Sequence, residues 1–185
     1  MAKVFASIDE KLTAFCEAAP VFFVATAPAD GGHVNVSPKG LDTFRVLGRN
    51  EVAYLDLSGS GIETVAHLRD DGRITLMFCA FAGRPRIVRL HGTGEAVVRA
   101  DPRFDELAAR FPDLPGRRAV IRIDVERISD SCGYAVPRMD FRGPRETLTK
   151  HHESKGEDAL ALARAAQNAA SIDGLPALPV RDGRA

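Results

Sequence analysis

The chain of 185 residues carries 25 basic and 25 acidic side chains, with 45% apolar and 27% charged residues. That length suits one domain with one core, and that balance belongs to a folded globular protein rather than a disordered one. With zero net charge there is no overall field to draw a polyanion, so neither nucleic acid nor a membrane is expected as a partner.

Ser7 and Glu10 stand in capping-box spacing ahead of Leu12, Phe15 and Cys16, which predicts a short amphipathic helix over residues 8–18, ended by Pro20. Residues 21–27 are rich in β-branched and aromatic side chains. The Asp-Gly-Gly at 30–32 turns them back into alternating His33, Val34, Asn35 and Val36, a first hairpin. Gly48, Arg49 and Asn50 separate two further strand-like runs, 43–47 and 51–57, a second hairpin. Strand following strand without a helix between them predicts antiparallel pairing. Ser60 and Glu63 form another capping box, predicting a short helix through Leu68 that Gly72 stops. Long strands follow at 73–81 and 86–98, with Gly92 and Gly94 marking a bulge or a close backbone approach. Asp101 and Pro102 open a helix to residue 110, and 118–128 alternates as a strand. Six or seven strands with inserted helices describe a closed or half-closed barrel.

Beyond Cys132 the character changes. Residues 145–152 and 156–168 read as helices, and Gly174, Pro176, Pro179 and Gly183 punctuate the end. Residues 133–185 are therefore expected to dock as an extension of a single domain spanning 1–185. The segment 171–176 either covers a site mouth or neighbouring subunit, or is an ordinary docked terminus.

Cys16, Cys79 and Cys132 are odd in number and widely spaced, so neither a disulfide framework nor a zinc site is expected. His67 and His91 read as scaffold. His151 and His152 are adjacent, a spacing that points their rings apart on a helix, and no metal site is expected. The charged N-terminal stretch and the short apolar runs carry no export or membrane signal, so the expected location is the cytoplasm, with reduced thiols.

Three segments join strand-like alternation to groups that can hold an anion: VNVSPKG at 34–40, VAYLDLSGSGIETVAHL at 52–68 and RIVRLHG at 86–92. Ser58, Gly59, Ser60 and Gly61 lead straight into the helix predicted at Glu63, so free N–H groups and the helix dipole face whatever lies at that turn. The plain alternative is that Ser60 only caps the helix. Lys39, after Pro38, offers a mobile positive charge or is a solvated turn lysine. Along 86–92, period two puts Arg86 and Val88 on one face and Ile87 and Arg89 on the other. One arginine can face a ligand while the other faces solvent or a partner, and the sequence leaves open which does which.

In order and spacing, these segments resemble the flavin-binding half of the pyridoxamine 5'-phosphate oxidase family across roughly residues 20–130. The resemblance implies a mainly β (α+β) fold, an antiparallel split β-barrel of six to seven strands with short inserted helices and a helical C-terminal tail. It also implies FMN as cofactor, with deazaflavin as an alternative, a small-molecule substrate, a homodimer, and oxidoreductase chemistry by hydride transfer through flavin N5. Val34, Asn35, Val36, Ser37, Pro38 and Lys39 then line the flavin. Tyr54 takes the place of a family residue that contacts the cofactor. Ser58, Ser60, Gly61, Thr64 and Lys39, with an arginine from elsewhere in the chain, hold the phosphate. Arg86, Val88, Arg89 and Gly92 reproduce the family spacing on the third segment.

The departures also matter. The family's Ser-Arg-Lys before the short helix is absent, its flavin-contacting glutamine is Ile87 here, and no Arg-x-His pair follows Cys132. True pyridoxamine phosphate oxidase activity is therefore not expected. The rival expectation is a non-catalytic protein that binds or senses flavin, deazaflavin or a tetrapyrrole on the same fold.

Overall fold

Period-two burial marks the strands that face the core on one side: β2 reads buried, half-buried, buried, half-buried, buried. The structure, a computed structural model, describes residues 3–178. Pro179 and Gly183 of the expected tail lie outside the described residues. In chain order the elements are β1 (Lys3–Phe5), α1 (Glu10–Glu17), β2 (Phe22–Thr26), β3 (Asn35–Lys39), β4 (Phe44–Gly48), β5 (Glu51–Leu57) and α2 (Glu63–Asp70). They continue with β6 (Arg73–Cys79), β7 (Ile87–Val98), α3 (Phe104–Ala108), β8 (Arg117–Ser131) and α4 (Thr147–Gln167).

The sheet runs β3-β2-β6-β7-β8-β5-β4, with β1 paired onto β8. Every pairing is antiparallel. Its two edges, β3 and β4, do not pair with each other, so the barrel is split. The long strands β7 and β8 form its spine and shift register between His91 and Gly92, the bulge expected there. A Cβ on Gly92 would fall 2.0 Å from the Asp124 carbonyl oxygen, so only glycine permits that approach.

Inside the sheet, Phe22, Phe44, Tyr54 and Phe78 form an aromatic cluster with ring centroids 4.9–5.6 Å apart. Val65, Ala66 and Leu68 of α2 pack into the same core. On the other face, Phe104, Ala108 and Phe111 cover Ala53, Leu55, Val97 and Val120.

Three local expectations change. The three-residue β1 is too short to leave a pattern and adds an eighth strand. The cap of α1 is Asp9, whose Oδ1 accepts the Leu12 N–H at 2.8 Å, and not Ser7. The Ile8 N–H is bonded to the Arg49 carbonyl at 2.7 Å, and the helix begins two residues later at Glu10. Ser60 is not a cap either: α2 starts after Ile62 with no side-chain cap. The two helices expected after residue 145 are both present within α4, parted at Gly156, whose φ of 72° and ψ of 163° are not helical. Among the described residues, no helix is long and apolar enough to cross a membrane.

Candidate functional site

Strand β5 is apolar from Val52 to Leu57 except for Asp56, and a carboxylate in such a strand needs partners where it is buried. Asp56 is 1% exposed. The Lys39 Nζ at the end of β3 lies 2.7 Å from its Oδ1. From the start of β8, Arg118 places Nε at 2.8 Å and a terminal nitrogen at 2.7 Å from its Oδ2. Burial alone pushes the Asp56 carboxyl up, but the Arg118 and Lys39 charges outweigh it and hold the group below its ordinary value. Asp56 is therefore an anion that fixes two cations in place.

These cations border a cavity of about 310 Å³ between the end of β3, the end of β5 and the start of α2. The turn from Ser58 to Gly61 forms one wall, held from behind. The Ser58 N–H and Oγ both donate to the Gly116 carbonyl, at 2.8 and 2.9 Å. One Arg118 nitrogen donates to the Gly61 carbonyl at 2.8 Å. Two residues of the C-terminal segment reach the same turn: Arg164 donates to Ser58 Oγ at 2.9 Å, and Asn168 donates to the Gly59 carbonyl at 3.1 Å. Leu148 of α4 and Glu63 at the first turn of α2 also line the cavity.

Of the residues singled out from the sequence, Ser37, Pro38, Lys39, Ser58, Ser60, Gly61 and Thr64 meet at this cavity. Asn35 stands behind them: its amide donates to Thr64 Oγ1 at 3.1 Å and Thr26 Oγ1 at 3.3 Å, and accepts the Ser37 hydroxyl at 3.0 Å. Thr26 in turn meets Nδ1 of the fully buried His67 at 3.0 Å, consistent with a scaffold role for that histidine. Val34 and Val36 are exposed. Tyr54 is fully buried in the aromatic cluster, and burial pushes its phenol well above the ordinary value. Arg86 pairs with Asp130 at 3.1 Å against the rings of Phe5 and Phe15, and Arg89 donates to Ser131 Oγ at 3.2 Å; neither lines the cavity.

Asp56, Arg118, Arg164 and Asn168 were not singled out from the sequence. A signal existed for Asp56, the lone carboxylate in an apolar strand. For the other three it is tertiary, because nothing local marks an arginine at a strand start or an asparagine at a helix end as turned toward one loop.

Comparison with known proteins adds to this geometry. A family model for pyridoxamine 5'-phosphate oxidase matches residues 8–132. A pyridoxamine 5'-phosphate oxidase family protein of Aspergillus flavus, ustO, is 40% identical over 193 residues, covering 94% of this chain and 77% of its own. Among solved structures, HupZ of Group A Streptococcus superposes with a TM-score of 0.54 at 21% identity, over 72% of this chain and 99% of that one. A candidate pyridoxamine 5'-phosphate oxidase of Lactobacillus delbrueckii gives 0.53 at 20% identity, over 68% and 98%. At those identities the likeness to the two structures is one of fold.

Proposed function

Because the chain belongs to the pyridoxamine 5'-phosphate oxidase family, we propose that it is an FMN-binding oxidoreductase whose cavity between Lys39, Arg118 and the start of α2 takes the phosphate end of the flavin. The observation that carries this reading is the convergence on one cavity of two cations and a helix N-terminus. At about 310 Å³ the cavity is at the small end of ligand pockets. It suits a phosphate and part of the ribityl chain, while the ring lies outside it along β3, where Val34 and Val36 offer apolar surface. The protein works as a homodimer whose partner closes the half-open groove, and it acts on a small-molecule substrate in the cytoplasm.

Bound flavin supplies hydride transfer through N5. The residues of this chain bind and orient: Ser60 and the first turn of α2 offer donors to an anion, Lys39 and Arg118 add positive charge, and Asp56 keeps both cations from swinging away. The absence of a basic triplet before α2, together with Glu63 in the cavity wall, tempers the attraction for a dianion. The same features favour a second reading, a protein that holds flavin, deazaflavin or a tetrapyrrole without turnover.

Titration of the purified protein with FMN and with riboflavin tests the proposal. FMN is expected to bind about ten- to a hundredfold more tightly, the effect of hydrogen bonds to a charged group. Equal affinities, or binding of neither, would remove the phosphate site. A Soret-type absorption band in the purified protein would move the tetrapyrrole version of the second reading ahead.

A further inference from the structure

The carbonyl oxygens of Gly59, Ser60 and Gly61 in the glycine-serine turn are engaged from behind. Asn168 donates its amide to the carbonyls of Gly59 at 3.1 Å and Ser60 at 3.4 Å. Arg118 donates to those of Gly59 at 3.4 Å and Gly61 at 2.8 Å, and to the Asn168 Oδ1 at 2.9 Å. Asparagine suits this place because one side chain both accepts from the arginine and donates to two carbonyls. Its position is fixed by the end of α4, where its own N–H bonds the Arg164 carbonyl. Arg164, four residues earlier, lies on the same helix face and reaches Ser58 Oγ. Asn168 is 1% and Arg164 9% exposed, so neither is a casual surface contact.

In a planar trans peptide the C=O and the following N–H point in opposite directions, and there is no cis peptide in the described chain. With the carbonyls of Gly59, Ser60 and Gly61 turned toward Arg118 and Asn168, the N–H groups of Ser60, Gly61 and Ile62 turn the other way. No hydrogen bond among the described residues uses those three N–H groups. All three residues line the cavity. Successive free N–H groups on one side of a turn form an anion-binding concavity.

We propose that Arg164 and Asn168 are positioning residues for this concavity, so that the C-terminal segment, beyond the 8–132 region matched by the family, sets the preference for a phosphate-bearing ligand. The inference rests on the flavin-phosphate reading above. It assigns α4 a task at the site: the second half of the helix, after the bend at Gly156, orients backbone donors that the missing basic triplet would otherwise replace.

The test is the ratio of FMN to riboflavin affinity in the full chain, with the thermal midpoint measured without ligand for each protein. Asn168→Ala is expected to lower the ratio about five- to tenfold through FMN alone, leaving riboflavin affinity unchanged. Arg164→Gln should lower it in the same direction, and Arg164→Lys, which keeps a charged donor toward Ser58, should restore it. If Asn168→Ala does not fold, the two Arg164 variants decide. Variants that keep the wild-type ratio, or that weaken FMN and riboflavin equally, overturn the positioning role while the flavin reading stands. A wild-type protein with no preference for FMN overturns both.

Discussion

The Lys39 ammonium lies 2.7 Å from Oδ1 of Asp56, a carboxylate almost wholly withdrawn from solvent. The lysine is therefore not a free cation awaiting a ligand, because part of its charge is already answered from inside the protein. Arg118 answers the rest of the same carboxylate.

Asp56→Asn follows directly from this arrangement. Removing one partner of a buried ion pair costs about 3–5 kcal/mol, since the remaining charges lose their compensation. The ligand-free thermal midpoint should fall accordingly. Yet the freed cations border the cavity, so the FMN-to-riboflavin preference should rise. Calorimetry and titration of the same preparation separate the two effects, and a variant that loses stability and preference together would contradict this division.

The pH dependence has a definite sign. The Arg118 and Lys39 charges hold the folded Asp56 carboxyl below the ordinary aspartate range. Its contribution to stability is thus fully present above the unfolded value and is lost as pH falls through the folded one. Thermal midpoints measured between pH 6 and pH 3 should fall more steeply for wild type than for Asp56→Asn. Other carboxylates held low by partners, such as Asp42 and Glu95, are common to both proteins and cancel in the difference.

Gly116 joins the site to α4. Its φ is +76°, its carbonyl accepts both Ser58 donors, and an added Cβ would lie 2.3 Å from the His152 ring nitrogen. Gly116→Ala should cost about 1–3 kcal/mol of stability through backbone strain, with further loss from displacing α4. The FMN preference should fall as well. A thermal midpoint equal to that of wild type would refute the tight approach.

The three thiols should differ in reactivity. Burial pushes the Cys16 thiol up to about 12 against the charge of Arg86, and burial also raises Cys79, whereas Cys132 is exposed. One thiol should react in the native protein at pH 8 and three after unfolding. A second fast native thiol would contradict the burial of Cys16 and Cys79. Cys132→Ser should leave flavin binding intact.

Much of the fold was legible because hairpins leave local marks. β-Branched and aromatic content in residues 21–27, the strand-like runs at 43–47 and 51–57, and Gly-rich or Asn-containing turns between strands are enough to place β2 through β5. Capping boxes misled because the pattern is met by any Ser-x-x-Glu: at α1 the cap is Asp9, immediately before the helix, and ahead of α2 the carbonyls of Gly59 and Gly61 are taken by Arg118. At the site, Lys39 and the glycine-serine turn could be picked out as anion-binding chemistry. The pairing of Lys39 and Arg118 with Asp56 could not, because it depends on residues 17 and 62 positions apart meeting across strands. Arg164 and Asn168 lie more than a hundred residues from the turn they hold.

The most direct measurement is a crystal structure of the protein grown with FMN. The expected result places the phosphate within hydrogen-bond distance of the N–H groups of Ser60, Gly61 and Ile62, with Lys39 beside it. A flavin bound with its phosphate elsewhere, or a cavity that takes no flavin at saturating concentration, would contradict the assignment of this turn as the anion site.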